Sequence, residues 1–134
     1  MSRAVHAPAW QRWCREGRVR CEGETATVCI GPTQRGSHAR TQVVRVRVVE
    51  DGLLLESVVA QRRHVTTPAA TQCDLWLRNR ARDLINVSID RSGKVVASCW
   101  IPHVALERDE FLFALRHLAS EADRLEFLMT GSGE

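Results

Sequence analysis

The chain has 134 residues, of which 44% are hydrophobic and 26% charged, and its formal net charge at pH 7 is +3. A chain of this length buries roughly two thirds of its unfolded surface, which suits one domain with one core. The composition is ordinary for a globular protein and excludes extensive disorder. A membrane-spanning helix needs about 20 apolar residues in a row. No apolar run in the sequence approaches that length, so we expect no membrane association.

Polar residues occur at both ends of the sequence. Residues 1–6 are too polar for the apolar region of a secretory signal, so a cytoplasmic protein is expected. The last four residues, Gly-Ser-Gly-Glu, indicate a flexible tail at 131–134. We therefore predict a single domain over residues 1–134 that ends in this tail.

Neither the cysteines nor the basic residues exclude a class of function by themselves. Cysteines are odd in number and form no Cys-x-x-Cys pair, so in a reducing compartment they are predicted to be small buried hydrophobes. The five are Cys14, Cys21, Cys29, Cys73 and Cys99. Lys94 is the single lysine, and every other basic side chain apart from histidine is an arginine. Arginine binds carboxylates and phosphates in a bidentate manner, which keeps a nucleic-acid partner open as an alternative.

The first third of the chain predicts a helix and then a strand. Residues 7–16 place Trp10, Trp13 and Cys14 at helical spacing, and Gly17 is positioned to end the helix. Residues 18–32 alternate in the manner of a strand, with Ala26, Val28 and Ile30 on one side. Residues 31–40 contain two glycines and a proline without apolar periodicity, which predicts an exposed connection.

The next two segments are the clearest strands in the sequence. Residues 41–49 and 53–60 alternate with a period of two, and the Glu50-Asp51-Gly52 turn between them is typical of a hairpin. One face of the pair is predicted to carry Val44, Val46, Val48, Leu53, Leu55 and Val59. The other face carries Val43, Arg45, Arg47, Val49, Leu54, Glu56 and Val58.

The second half predicts a helix, a hairpin and a long helix. Residues 66–82 begin with a threonine cap and a proline and carry arginines near their end. Residues 84–90 and 94–101 alternate around a turn at Gly93, with Ile85, Val87 and Ile89 inward. From about Glu107 an apolar stripe recurs at helical spacing and must pack on the sheet. The stripe comprises Phe111, Leu115, Leu118, Ala122, Leu125 and Met129, widened by Leu112, Ala119 and Leu128.

The predicted order is α-β-β-β-α-β-β-α, an α+β fold with an antiparallel sheet of about five strands and helices on one face. This order resembles the type III secretion chaperone-like fold, including the YbjN-type family of bacterial proteins. The resemblance is densest from Leu75 to Leu125. It is carried by Leu75, Leu77 and Asn79, the run Ile85-Asn86-Val87-Ser88-Ile89-Asp90, the turn Ser92-Gly93, the strand to Trp100, Ile101-Pro102, and Phe111-Leu112-Phe113-Ala114-Leu115.

The resemblance implies a small cytoplasmic homodimer that binds a client polypeptide without nucleotide or metal. It supplies no active-site residues. Classical effector chaperones of this fold tend to be acidic, whereas this chain is slightly basic.

Catalytic and metal-binding motifs are absent from the sequence, so we expect neither an enzyme nor a cofactor. There is no Gly-x-Ser-x-Gly, His-Glu-x-x-His, phosphate loop or glycine-rich dinucleotide motif. His103 and His117 are predicted to be surface or capping residues. Pairing Cys73 with His64, or Cys21 with Cys29, gives no recognised ligand spacing.

The surplus of apolar and aromatic side chains indicates a protein-binding surface. If both faces of the sheet carry apolar groups, both need covering, and exposed aromatics are frequent interface anchors. The partner-binding candidates are Val43, Arg45, Arg47, Leu54, Val58, Trp100, Trp10 and Trp13. For the two tryptophans of the first helix, covering one end of the sheet is an equal alternative.

The predicted function is therefore non-enzymatic binding of a client or partner protein, as a homodimer. The alternative is a nucleic-acid-binding module in which arginines contact phosphates. The arginines considered for it are Arg45, Arg47, Arg62, Arg63, Arg78, Arg80 and Arg82.

Overall fold

Six antiparallel strands and two helices make up the part of the chain that the computed structural model describes, which is residues 9–31, 40–61 and 84–130. The elements are α1 (Ala9–Glu16), β1 (Arg20–Glu22), β2 (Thr25–Ile30), β3 (Arg40–Val49), β4 (Gly52–Ala60), β5 (Asn86–Ile89), β6 (Val95–Pro102), a 3-10 turn (His103–Ala105) and α2 (Arg108–Thr130). The sheet order is β1-β2-β3-β4-β6-β5. The α+β fold with helices on an antiparallel sheet is confirmed.

The sheet has six strands rather than about five, because residues 18–32 do not form one strand. A tight turn at Gly23, whose φ is +60°, folds β1 back onto β2, so that Cys21 pairs with Ala26. Gln11 donates a hydrogen bond from Nε2 to the carbonyl oxygen of Gly23 at 2.7 Å, and this ties the turn to α1. Glycine is the residue for which this backbone conformation carries no steric cost.

The predicted hairpins are confirmed, and Gly52 has a second role besides the turn. It begins β4 and pairs with both Val49 and Pro102. A Cβ at this position would lie 1.9 Å from the carbonyl oxygen of Ile101. Gly52 therefore allows β6 to approach β4 closely where the chain leaves the β3–β4 turn.

The core lies between one face of the sheet, here called the inner face, and the helices. α2 packs mainly on β4, β3 and β6, and it buries the predicted stripe. Phe111 is fully buried, and its ring lies 6.1 Å from Trp10 and 5.6 Å from Trp13, measured between centroids. Leu128 was predicted to widen the stripe, and that prediction is wrong. Its side chain is 64% exposed, because near the end of α2 it points away from the sheet.

The end of α1 differs from the predicted glycine cap. Arg18 rather than Gly17 takes the left-handed conformation, with φ +62°. The turn is closed by the amide of Val19, which donates to the carbonyl oxygen of Cys14 at 2.7 Å. A Cβ on Gly17 would lie 2.9 Å from both terminal carbons of Leu112, so this glycine serves the close approach of α2.

Arg40 was predicted to end an exposed connection, and it is instead the first residue of β3. Its guanidinium donates from Nε to Oδ1 of Asp123 at 2.9 Å and from Nη2 to Oδ2 at 2.6 Å. Asp123 lies on α2 and is 1% exposed. The ion pair therefore holds the start of β3 against the last third of the helix, across 83 positions of sequence.

Several predictions lie outside the described residues. These are the basic helix at 66–82, with Cys73, the arginines Arg62, Arg63, Arg78, Arg80 and Arg82, His64, and the tail at 131–134. Within the described ranges, no helix is both long and apolar enough to cross a membrane.

Candidate partner-binding surface

The outer face of the sheet, which is turned away from α2, carries six of the eight predicted partner-binding residues. Alternation along each strand places them there, since their neighbours in sequence point into the core. On β3, for example, Val44 and Val46 are buried, whereas Val43 is exposed. The six are Val43, Arg45, Arg47, Leu54, Val58 and Trp100, and we call them the outer patch.

The register of the strands brings the members of the outer patch together in rows. One row runs from Arg47 through Leu54 to Trp100, across β3, β4 and β6. The next row pairs Arg45 with Glu56. On the other side of Glu56, Val58 pairs with Val96 of β6. The apolar members therefore flank a short polar row.

The apolar side chains of the outer patch are open to solvent. Val43 is 53% exposed, Trp100 is 52% exposed and Val58 is 40% exposed, whereas Leu54 is half-buried. A single exposed valine is ordinary on a soluble protein, but a tryptophan and several aliphatic side chains on one face form the kind of patch that marks an interaction site.

The two arginines of the outer patch already have carboxylate neighbours. Arg45 Nη2 lies 3.5 Å from Oε1 of Glu24, and both side chains are largely exposed. Arg47 Nε lies 3.2 Å from Oε1 of Glu56, although no hydrogen bond forms from this nitrogen. Such surface pairs contribute little to stability. They do cancel much of the positive charge that a phosphate backbone would require, so the outer patch gives no specific support to the nucleic-acid alternative.

Trp10 and Trp13 lie apart from the other six candidates, on α1 at the helix-covered side. Trp10 is only 5% exposed, and both rings pack on Phe111. The structure thus places them where the alternative interpretation put them, covering one end of the inner face. A partner contact by the partly buried Trp13 stays a prediction.

The cysteines differ in their surroundings more than the sequence indicated. Cys14 and Cys99 are buried, and loss of hydration raises the pKa of Cys14 from 9.0 to about 12 and that of Cys99 to about 11. Burial also raises the pKa of Cys21, which is half-buried. The prediction of a buried side chain is wrong for Cys29, which is exposed because it points outward from β2.

Two histidines, His103 and His117, lie in the described part of the chain. His103 is exposed in the 3-10 turn after β6, and His117 is half-buried and stacks on Phe113 with ring centroids 5.7 Å apart. Among the residues that the structure describes, no three histidine, cysteine or acidic side chains lie close enough to hold a metal ion.

Sequence reasoning missed a groove at the β1–β2 edge of the sheet, beside the end of α1. Its cavity has a volume of about 610 Å³ and its wall includes Arg18, Arg20 and Arg116, which we call the arginine groove. The three residues come from the turn after α1, from β1 and from α2. No local pattern signals such a site, because its members are as much as 98 positions apart in sequence.

Comparison with known proteins identifies the fold. No protein-family model and no curated protein matches the chain. It is similar to a chain in the crystal structure of the ExsC–ExsE complex, with a TM-score of 0.59 and 18% identity over 94% of this chain and 93% of the other. It is also similar to a chain of the heterodimeric ExoU–SpcU complex from the type III secretion system of Pseudomonas aeruginosa, with a TM-score of 0.55 and 19% identity over 88% of this chain and 95% of the other.

At these identities the likeness establishes the fold alone. It agrees with the type III secretion chaperone-like fold that the order of the elements predicts. The narrower resemblance to the YbjN-type family stays a prediction. What the structure adds is a specific surface, the outer patch, on a fold that occurs in two protein–protein complexes.

Proposed function

We propose that this protein is a non-enzymatic, chaperone-like or adaptor protein that binds a partner polypeptide on its outer patch. The observation that carries this proposal is the exposed row of Leu54 and Trp100 beside Val43 and Val58 on the uncovered face of the sheet. The two solved structures of similar fold support it, since each is a complex between two proteins. A cytoplasmic location and a homodimer belong to the same proposal.

Trp100 is the natural anchor of such an interface. Tryptophan has a large, rigid surface and is enriched among residues that dominate binding energy. Here its indole lies beside Leu54 across the β4–β6 ladder, so a partner's apolar side chain can contact both at once. Burial of this pair would supply most of the affinity, because about 25 cal/mol is gained for each Å² of apolar surface removed from water.

Arg45 and Arg47 would then select among partners rather than hold them. Their present neighbours are Glu24 and Glu56, at 3.5 Å and 3.2 Å. A partner with acidic residues beside its apolar ones would compete for the guanidinium groups, whereas a basic partner would be repelled. Charge complementarity of this kind contributes more to specificity and association rate than to affinity.

The proposal is tested by capture of partners from a lysate of the native host, with the tagged protein as bait and mass spectrometry as readout. Trp100→Ala is expected to reduce recovery of the specific partner by roughly thirtyfold, as for an anchor residue worth about 2 kcal/mol. The double variant Arg45→Ala with Leu54→Ala is expected to reduce it as well. Unchanged capture by both variants would contradict the proposal.

A matched control is available on the same strand. Val43 and Val48 are both on β3 and have similar exposure, 53% and 56%, but they lie on opposite faces of the sheet. Val43→Ser should weaken capture and Val48→Ser should leave it unchanged. Light scattering of the purified protein tests the homodimer separately, and a mass of one chain of 15.1 kDa at high concentration would overturn that part alone.

A further inference from the structure

The arginine groove is a second surface at the edge of the sheet, and it meets the outer patch where Thr27 pairs with Val43. It runs between the turn after α1, the end of β2 and the middle of α2. Besides its three arginines, it is lined by the hydroxyl groups of Thr27, Thr41 and Ser120 and by the edge of the core. No carboxylate is among its described lining residues, so the groove offers hydrogen-bond donors and positive charge together.

The three arginines of the groove have no ionic partner within the described parts of the chain. Arg116 donates from Nη2 to the carbonyl oxygen of Gly17 at 2.8 Å, which holds its guanidinium at the groove without neutralising it. Six other described arginines are paired with acidic residues, namely Arg12, Arg40, Arg45, Arg47, Arg108 and Arg124. Three unneutralised cations around one cavity repel one another, so the groove favours an anionic ligand.

The backbone at Arg18 adds an independent observation. Its φ of +62° is a conformation that L side chains disfavour and that glycine adopts freely at the end of a helix. The preceding residue is a glycine, yet the left-handed position is held by an arginine that lines the groove. Non-glycine residues held in this conformation are frequent at functional sites.

We propose that the arginine groove binds an acidic segment of a polypeptide, with its carboxylates on Arg18, Arg20 and Arg116. A polypeptide fits better than nucleic acid, because the described lining residues include no aromatic side chain on which bases could stack. It also fits better than a small anion. The arginines are exposed, so each contact is weak by itself, and a chain with several carboxylates sums them.

The test uses the whole protein and a short fluorescent peptide in which glutamate alternates with valine, followed by anisotropy at low salt. Binding should weaken steeply as salt rises, and the matched peptide with glutamine in place of glutamate should not bind. Arg116→Gln and Arg20→Gln should each reduce affinity by about three- to fivefold, the loss of one exposed charge-assisted contact. Failure of the acidic peptide to bind the unmodified protein would overturn the proposal.

Arg18→Gly is the sharpest variant, because it separates binding from folding. Glycine relieves the disfavoured backbone conformation, so the melting temperature should stay the same or rise while peptide affinity falls by about three- to fivefold. Arg91→Gln is the matched control. Arg91 is exposed in the β5–β6 turn, at the opposite end of the sheet, and forms no described ion pair. Equal peptide affinity in the two variants would overturn the proposal.

Two further arms decide the class of ligand and the independence of the two surfaces. Tighter binding of single-stranded DNA than of the acidic peptide, lost in the same arginine variants, would overturn the choice of a polypeptide. Trp100→Ala, on the β6 side of the outer patch, should leave peptide binding unchanged, because Trp100 lies three strands away from the groove residues of β2. Should the groove variants bind the peptide normally while Trp100→Ala still abolishes partner capture, this inference fails and the proposed function stands.

Discussion

The two faces of the sheet are built from the same strands and from similar residues, yet they have opposite surroundings. On β3, the inner Val44 is fully buried under α2 while the adjacent outer Val43 is half exposed. On β6, the inner Cys99 is buried and the adjacent Trp100 is half exposed. An apolar side chain on a strand is therefore not buried by its own character. It is buried where a helix covers it, and here the described helices cover one face only.

This difference separates the sources of stability from the sources of binding. The side chains of the inner face are buried under the helices and stabilise the folded state, so substitutions there should destabilise the protein. The outer patch contributes little to the fold, so changes there should spare stability and alter only association. Substituting residues of the same type on the inner face and on the outer face, and measuring stability and partner binding for each variant, tests this division.

The largest effect is expected at Phe111 of α2, which is fully buried and packs against Trp10 and Trp13 of α1. Phe111→Ala should lower the free energy of unfolding by about 3–5 kcal/mol, through lost burial and the cavity left behind. Phe113→Ala, two positions along the same helix and 59% exposed, should change it by less than about 1 kcal/mol. Urea unfolding followed by circular dichroism measures both, and similar losses in the two variants would show that the faces of α2 are not divided as described.

The next effect is expected at the ion pair between Arg40 and Asp123. Arg40→Ala removes the bidentate partner of a carboxylate that is 1% exposed, and weaker pairing of a buried charge is unfavourable. We expect the melting temperature to fall by several degrees. Arg45→Ala, which breaks the exposed pair with Glu24, should leave it almost unchanged. Equal melting temperatures for the two variants would contradict the structural role given to Arg40.

A smaller effect is expected in the reactivity of the cysteines. In a Cys73→Ser background, a thiol reagent at pH 8 should modify the exposed Cys29 first, and Cys29→Ser should remove that fast reaction. Cys14 and Cys99 should react only when the protein unfolds. Their raised pKa values, about 12 and about 11, also keep them protonated in the native state.

The smallest effect follows from the same thiols as the pH rises. Well below pH 9.0 the Cys14 thiol is neutral in both the folded and the unfolded protein, so it contributes no pH dependence to the free energy of unfolding. Above pH 9.0 the unfolded thiol ionises while the folded one does so only near 12, so stability should fall as pH rises. Cys14→Ala should have a flatter decline between pH 9 and pH 11 than the unmodified protein, as measured by thermal unfolding. A decline of equal slope would mean that Cys14 is hydrated in the folded state.

Much of the architecture was predictable because it depends on local geometry. The period of two in β3 and β4 assigns alternate residues to opposite faces of a strand, and the structure places Val43, Arg45, Leu54 and Val58 together as that period required. The stripe of α2 follows in the same way from a period of 3.6 residues. The candidate surface could therefore be named from the sequence, apart from the two tryptophans of α1.

The contacts between distant segments were decided only by the tertiary structure. The sequence contains no signal that β6 lies between β4 and β5, that Arg40 pairs with Asp123, or that three arginines surround one cavity. The turn at Gly23 was missed because a three-residue strand is too short to show a period. Periodicity is a property of the backbone and is written into every few residues, whereas strand order, long-range ion pairs and grooves depend on how helices and sheet pack against one another.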